Sequence, residues 1–165
     1  MRFISADEEK TGREAVRYLY GRGHRRILHL TYAREAYAIV ARARGYKKEA
    51  TALGLRPLVV TGGQKGKWVR LVKEEGVTAI FCHNDWLALT ALLALSEAGV
   101  RVPEDVSVLG VDNSPTLVAL HPELTTMAYP MGAVGEAIVD ILDGGTGRAA
   151  GMAYRMVERA TVRDI

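Results

Sequence analysis

The stretch TAIFCHNDWLALTALLALSEAGVRVPEDVSVLGVDN, residues 78–113, decides the kind of fold. Thr78 to Cys82 is an apolar run of strand length, and Trp86 to Ala98 carries apolar residues at helical spacing up to Gly99. Val106 to Val111 is a second apolar run, followed by Asp112 and Asn113. Short strands that are apolar throughout, joined by a helix, indicate a parallel sheet covered on both faces.

The alternation continues outward in both directions. Upstream, Ala15, Val16, Leu19 and Tyr20 share one face of a first helix that ends near Gly21 and Gly23, and Ser5-Ala6-Asp7-Glu8 has the form of a capping box before it. Ile27 to Thr31 reads as a strand, and Ile39, Ala43, Tyr46, Ala50 and Leu53 recur at helical spacing after it. Leu58 to Thr61 and Trp68 to Glu75 give the next strand and helix. Downstream come a helical turn at Thr116 to Leu120, a strand at Thr125 to Tyr129, a helix at Gly132 to Leu142 and a Gly-rich turn. The final segment alternates, with Arg155, Val157, Arg159, Thr161 and Arg163 on one side, and predicts an edge strand. The expected class is therefore an α/β, doubly wound parallel sheet.

Composition narrows the function classes. The chain of 165 residues is 48% hydrophobic and 25% charged, which excludes a disordered or fibrous protein. Its one cysteine fits a reducing compartment. With no 18-residue apolar run and no leader pattern after Met1, the sequence predicts a cytoplasmic protein without membrane contact. Residues 1–70 hold 16 Lys and Arg against 6 Asp and Glu, and residues 71–165 hold 6 against 13. That asymmetry can mark a nucleic-acid face, but arginines at these spacings are also what solvated helix faces carry.

In open α/β sheets ligands bind beyond the carboxyl ends of the strands. The residues expected there are Tyr32 and Arg42, Gly62-Gly63-Gln64, His83-Asn84-Asp85-Trp86, and Asp112-Asn113-Ser114. They offer a guanidinium fork, amides, carboxylates and aromatic faces, a set suited to a polyhydroxylated or heterocyclic molecule. Helix N-caps would draw on the same residue types. Asp85 and Asp112 could form a general acid/base pair, but both immediately precede helical segments, and an N-cap role is the simpler reading of both. His24, His29, His83 and His121 lack metal-ligand spacing, and Cys82 reads as a buried apolar residue, so neither metal nor cofactor is expected. Trp68 reads as core.

Five motifs occur in order: Gly23-His24-Arg25-Arg26-Ile27, Arg42-x-x-Gly45-Tyr46, Asn84-Asp85-x-x-Ala88, Val102-Pro103-Glu104-Asp105-Val106-Ser107-Val108-x-Gly110-x-Asp112, and Pro122-x-Leu124-Thr125-Thr126. Together they closely resemble the effector-binding domain of LacI/GalR-type transcriptional regulators across nearly the whole chain. The resemblance implies a periplasmic-binding-protein-like fold of two lobes, with a small effector, commonly a sugar or purine, in the cleft between them. It implies Arg42, Asn84 and Asp112 as effector contacts, with Tyr129 and Asp85 as further candidates, Asp85 doubling as the cap of the Trp86 to Ala98 helix. It also implies a homodimer surface on that helix, through Leu89, Leu92 and Leu93.

On this reading residues 1–25 are a helix and crossover of the amino-terminal lobe, 26–127 the carboxyl-side effector-binding lobe, 128–147 a helix of the amino-terminal lobe and 148–165 a terminal strand segment. The second lobe is then incomplete, and operator DNA would be reached only through a helix-turn-helix headpiece that these residues do not contain. Helix one and the Gly132 helix are expected to expose apolar faces, which favours self-association. The rival expectations are a free-standing solute-binding protein and a small hydrolase using Asp85 and Asp112.

Overall fold

A computed structural model describes residues 6–147 and 152–165. Five parallel strands, β1 (Ile27–Thr31), β2 (Leu58–Thr61), β3 (Ala79–Cys82), β4 (Ser107–Asp112) and β5 (Thr126–Ala128), lie in the order β2-β1-β3-β4-β5. A sixth, β6 (Arg155–Val157), closes the edge antiparallel to β5, with Met156 opposite Met127. The alternating α/β reading of the sequence is the fold observed. Side chains alternate across the strands, so Leu28, Leu30, Ile80 and Val108 fill one core, and Ile27, Ala79, Phe81 and Leu109 fill the other.

The first four helices divide between those two faces, while α5 (Pro115–Leu120) buries none of its residues. The first core also takes side chains of α3 (Lys65–Glu74) and α4 (Asp85–Glu97), among them Trp68, Leu71, Leu87 and Leu95. Trp68 is core, as its spacing predicts, and its indole donates to the Gly62 carbonyl. The second core takes Ala15, Val16 and Leu19 of α1 (Glu8–Gly21) and Tyr46 and Ala50 of α2 (Tyr37–Ala52). This corrects one expectation: α1 does not present an open apolar face, because the sheet and α2 cover it.

Two glycines allow that arrangement. A Cβ at Gly12 of α1 would stand 2.1 Å from the Arg42 carbonyl oxygen, and one at Gly45 of α2 would stand 1.9 Å from that of Glu9. The two backbones touch at their crossing, and only residues without a side chain fit between them. The N-cap of α1 is Asp7, which accepts from the Lys10 amide; Ser5 of the expected capping box lies outside the described residues.

The other end of the chain behaves differently. In α6 (Met131–Leu142) only Ala137 is buried, while Met131, Ile138, Val139 and Leu142 face solvent, so the expected open apolar face is present here. The terminal segment is an edge strand for three residues only. Beyond Val157 it leaves β5 for the amino end of β4, where the Thr161 hydroxyl donates to the Val108 carbonyl and its carbonyl accepts from the Val108 amide. Thr161 and Val162 are therefore both buried, and the predicted alternation fails there.

Candidate ligand-binding site

The carboxyl ends of β1, β3, β4 and β5 bring most of the predicted residues to one edge of the sheet. At β4 the chain ends in an uncommon backbone: Asp112 has φ 113° and Asn113 φ 54°. Non-glycine residues adopt such angles rarely and at a cost, and they concentrate where a side chain must be aimed. Asp112 lines a cavity of about 570 Å³ together with Asn113, Ser114, Pro115, Ala128, Tyr129 and Met131. Among the described residues its carboxylate has no hydrogen-bond partner, whereas Asn113 Oδ1 accepts from Arg159. Burial pushes the Asp112 carboxyl up to about 6; Arg42 pulls it down, and the charges of Asp85 and Glu8 add to the rise.

Asn84 follows β3. Its Oδ1 accepts from the Leu87 amide at 3.0 Å and from the Tyr32 hydroxyl at 2.9 Å, tying the end of β1 to that of β3 and capping α4. The cap of α4 is thus Asn84, where Asp85 was the expected residue. Asp85 is 0% exposed and turned inward. It accepts from the Ser114 amide at 2.9 Å and the Thr126 hydroxyl at 2.5 Å, so it joins the loop after β4 to β5 from below. A Cβ at Gly110 would lie 2.4 Å from Asp85 Oδ1, which is why β4 carries glycine there. Asp85 therefore supports the cavity without lining it.

Arg42 is placed least as expected. It is 2% exposed, and every guanidinium nitrogen has a partner within the chain. Nε and Nη2 donate to Glu8, Nη1 donates to the His83 carbonyl, and Nη2 also donates to the Tyr154 hydroxyl at 3.0 Å. Tyr154 in turn donates to the second Glu8 oxygen at 3.1 Å. The resulting cluster joins α1, α2, β3 and the segment before β6. Its outer wall is Tyr129, packed edge-on against Tyr154 with ring centres 5.4 Å apart, and Tyr129 also lines the Asp112 cavity. The sequence assigns neither Glu8 nor Tyr154 to the site: Glu8 reads there only as part of a helix cap.

Two histidines, His29 and His83, lie near this edge, and a third, His24, lies at the amino ends of β1 and β3. His29 is fully buried between Phe81 and Tyr46, with ring centres 4.6 and 5.2 Å away, and its Nδ1 donates to the Phe81 carbonyl. Burial lowers His29 to about 3, and burial with the Arg42 charge lowers His83 to about 3. His24 is lowered by burial as well, and its two nitrogens meet Thr78 and the Arg163 carbonyl. Cys82 is buried, and burial pushes its thiol up, so it stays protonated and unreactive.

These residues can hold a polar ligand at the sheet edge, and Asp85, one member of the acid/base pair offered by the sequence, is sealed off from it. Residues 16–164 match the family model for a periplasmic binding protein-like domain. The HTH-type transcriptional repressor PurR of Vibrio atlanticus is 33% identical over 98% of this chain and 53% of its own. The HTH-type transcriptional repressor CytR of Escherichia coli is 32% identical over 88% of this chain and 46% of its own. This chain therefore spans about half the length of the curated relatives it matches. Among solved structures, a LacI-family regulatory protein of Corynebacterium glutamicum superposes with a TM-score of 0.82 at 28% identity, covering 98% of this chain and 67% of its own. A periplasmic binding protein/LacI regulator of Alkaliphilus metalliredigens, solved with D-xylulofuranose, gives 0.78 at 28% identity, covering 96% of this chain and 65% of its own.

Proposed function

The chain belongs to the family of periplasmic-binding-protein-like domains that LacI-type regulators carry, and from that membership we propose that it senses a small effector, a sugar or purine, for a cytoplasmic DNA-binding regulator. The observation that carries this reading is Asp112. A half-buried carboxylate with no hydrogen-bond partner among the described residues, on a left-handed backbone at the mouth of a 570 Å³ cavity, is placed to accept from a ligand. Asn84, Asn113 and Tyr129 stand beside it as the other proposed contacts. The effector acts by favouring one arrangement of this lobe against a second one, and it shifts the regulator only by its differential affinity for the two.

Operator DNA is met through a headpiece in the part of the relatives' length that this chain does not span. The positive excess of residues 1–70 is not taken as a DNA face of its own: Arg17, Arg26, Arg42, Arg44 and Lys65 among these residues are in ion pairs with glutamates, and charge without a recognition element gives no sequence readout. An enzymatic role is not proposed, since Asp85 is inaccessible to a substrate. A free-standing solute-binding protein would use the same cavity, and the regulators among its relatives favour the sensing role over it.

The test is a thermal-shift and calorimetric screen of neutral sugars, purines and nucleosides, in which at least one raises the melting temperature in proportion to its occupancy. Asp112→Asn should then weaken that ligand by about 10-fold or more, by removing charge-assisted hydrogen bonds. Because only the ionised carboxylate accepts from donors on both oxygens, wild-type affinity should also fall as pH drops through about 6. Unchanged affinity in Asp112→Asn would remove Asp112 from the site.

Self-association is proposed on separate grounds. On α4, Trp86 and Leu93 are exposed, Leu89 is half-buried and Leu92 is core, so the expected leucine surface reduces to Leu93 with Leu89 at its edge and gains Trp86. With the open face of α6, these exposed apolar residues are the surfaces on which a second copy would pack. In sedimentation velocity the coefficient should rise with protein concentration; a monomer at every concentration would sink the idea.

A further inference from the structure

The fate of Arg42 bears on which ligands the cavity accepts. A guanidinium at a sheet edge is ordinarily the group that captures phosphate or carboxylate, through paired parallel N–H donors. Here that fork points at Glu8, in a cluster closed further by Tyr154 and the His83 carbonyl. Glu8 holds the place that an anionic ligand group would take.

The remaining cations do not replace it. Arg159 is held by Asn113 Oδ1 and the Leu124 carbonyl. Arg155 lines a neighbouring recess with Asn113 and Tyr129, which Asp112 does not line. Arg34 is exposed and stands over the Tyr32 ring, 5.8 Å from its centre, where solvent screens it. Against these stand the unpartnered Asp112 carboxylate and, beneath it, Asp85, whose contacts are neutral donors.

We propose that Glu8 sets the charge selectivity of the cavity: by holding Arg42 inside the fold it leaves the Asp112 carboxylate with no hydrogen-bonded cation, so the site takes neutral or cationic donor-rich ligands and rejects phosphorylated or carboxylated ones. This rests on the ligand-sensing reading above. It assigns Glu8 a role in specificity through Arg42, with no ligand contact of its own.

The probes are glucose, glucosamine, glucose 6-phosphate and inorganic phosphate, titrated to concentrations of order 10 mM while the backbone amides of Asn113 and Tyr129 are followed by NMR. In the wild type, phosphate and the phosphorylated sugar should leave those amides unmoved. Glu8→Gln, which releases the fork, should gain phosphate affinity by about 10-fold or more at the same amides. Asp112→Asn keeps the buried pair and removes the repelling charge, so it too should gain phosphate response, and it serves if Glu8→Gln does not fold. Wild-type protein that binds phosphate there as well as either variant does overturns the charge selectivity, even where a neutral sugar also binds and the sensing reading stands. If no probe and no member of the neutral-ligand screen moves these amides in any of the proteins, the sensing reading falls and the selectivity falls with it.

Discussion

Between pH 7 and pH 5 the protein should lose about 3 kcal/mol of stability, well before its surface carboxylates titrate. The cause is the pair His29 and His83, both lowered to about 3 in the fold against 6.5 in the unfolded chain. A histidine with a depressed folded pKa gives its full stability above the unfolded value and loses it as pH falls below 6.5, so at pH 5 each costs about 2 kcal/mol. Asp112 works in the opposite sense. Its carboxyl is raised to about 6, so the folded state takes up a proton between pH 6 and 4 and recovers about 1 kcal/mol by pH 5. His24, also lowered by burial, adds to the loss. Structure explains why the imidazoles resist protonation: the unpartnered Nε2 of His29 would become an N–H without an acceptor, inside an aromatic stack. Urea titrations at the two pH values measure the difference directly. In His29→Phe, which suits the stack but leaves the Phe81 carbonyl without a donor, stability at pH 7 should fall while the pH dependence shrinks by about half. A wild-type curve flat from pH 7 to 5 would show that these rings are solvated.

How much of this the sequence disclosed depends on the range of the interaction. Ile27–Thr31 and Leu58–Thr61 are strands over the residues read from the sequence, because apolar runs closed by turn residues carry their own boundaries. Asp112 and Asn84 reach the sheet edge simply by following strands. At Asn84-Asp85 two residues able to cap stand side by side, and only the helix register decides that Asn84 turns to the Leu87 amide while Asp85 turns under Gly110. The partners of Arg42 were beyond reach. Glu8 lies 34 residues away and Tyr154 lies 112 residues away, and no periodicity in either segment speaks of the other. Gly12 and Gly45 were the available signal, since a glycine inside each of two amphipathic helices suggests that the helices cross in contact. Reading that signal would have put α1 on the sheet beside α2, where it lies.

Replacing Arg42 with Ala should cost about 3–5 kcal/mol, as should replacing Glu8 with Ala, because each leaves the other charge buried without its counter-ion. The desolvation that makes a buried pair a weak source of stability also makes half of one untenable. From this follows a sharper expectation for the double variant. Arg42→Met with Glu8→Leu removes both charges and keeps most of the volume, so it should cost no more than Arg42→Met or Glu8→Leu alone, with a coupling of at least about 2 kcal/mol in the double-mutant cycle built from those two singles. Some loss remains, since the His83 carbonyl and the Tyr154 hydroxyl give up the donors that Arg42 brings them. Arg42→Lys is the informative intermediate. It keeps the charge but cannot reach Glu8, His83 and Tyr154 at once, so it should fall between the wild type and Arg42→Ala. Urea unfolding of the wild type, Arg42→Met, Glu8→Leu and their double decides the matter: costs that simply add would mean that Glu8 and Arg42 act independently, and the cluster would then not be the unit that withholds the guanidinium from the cavity.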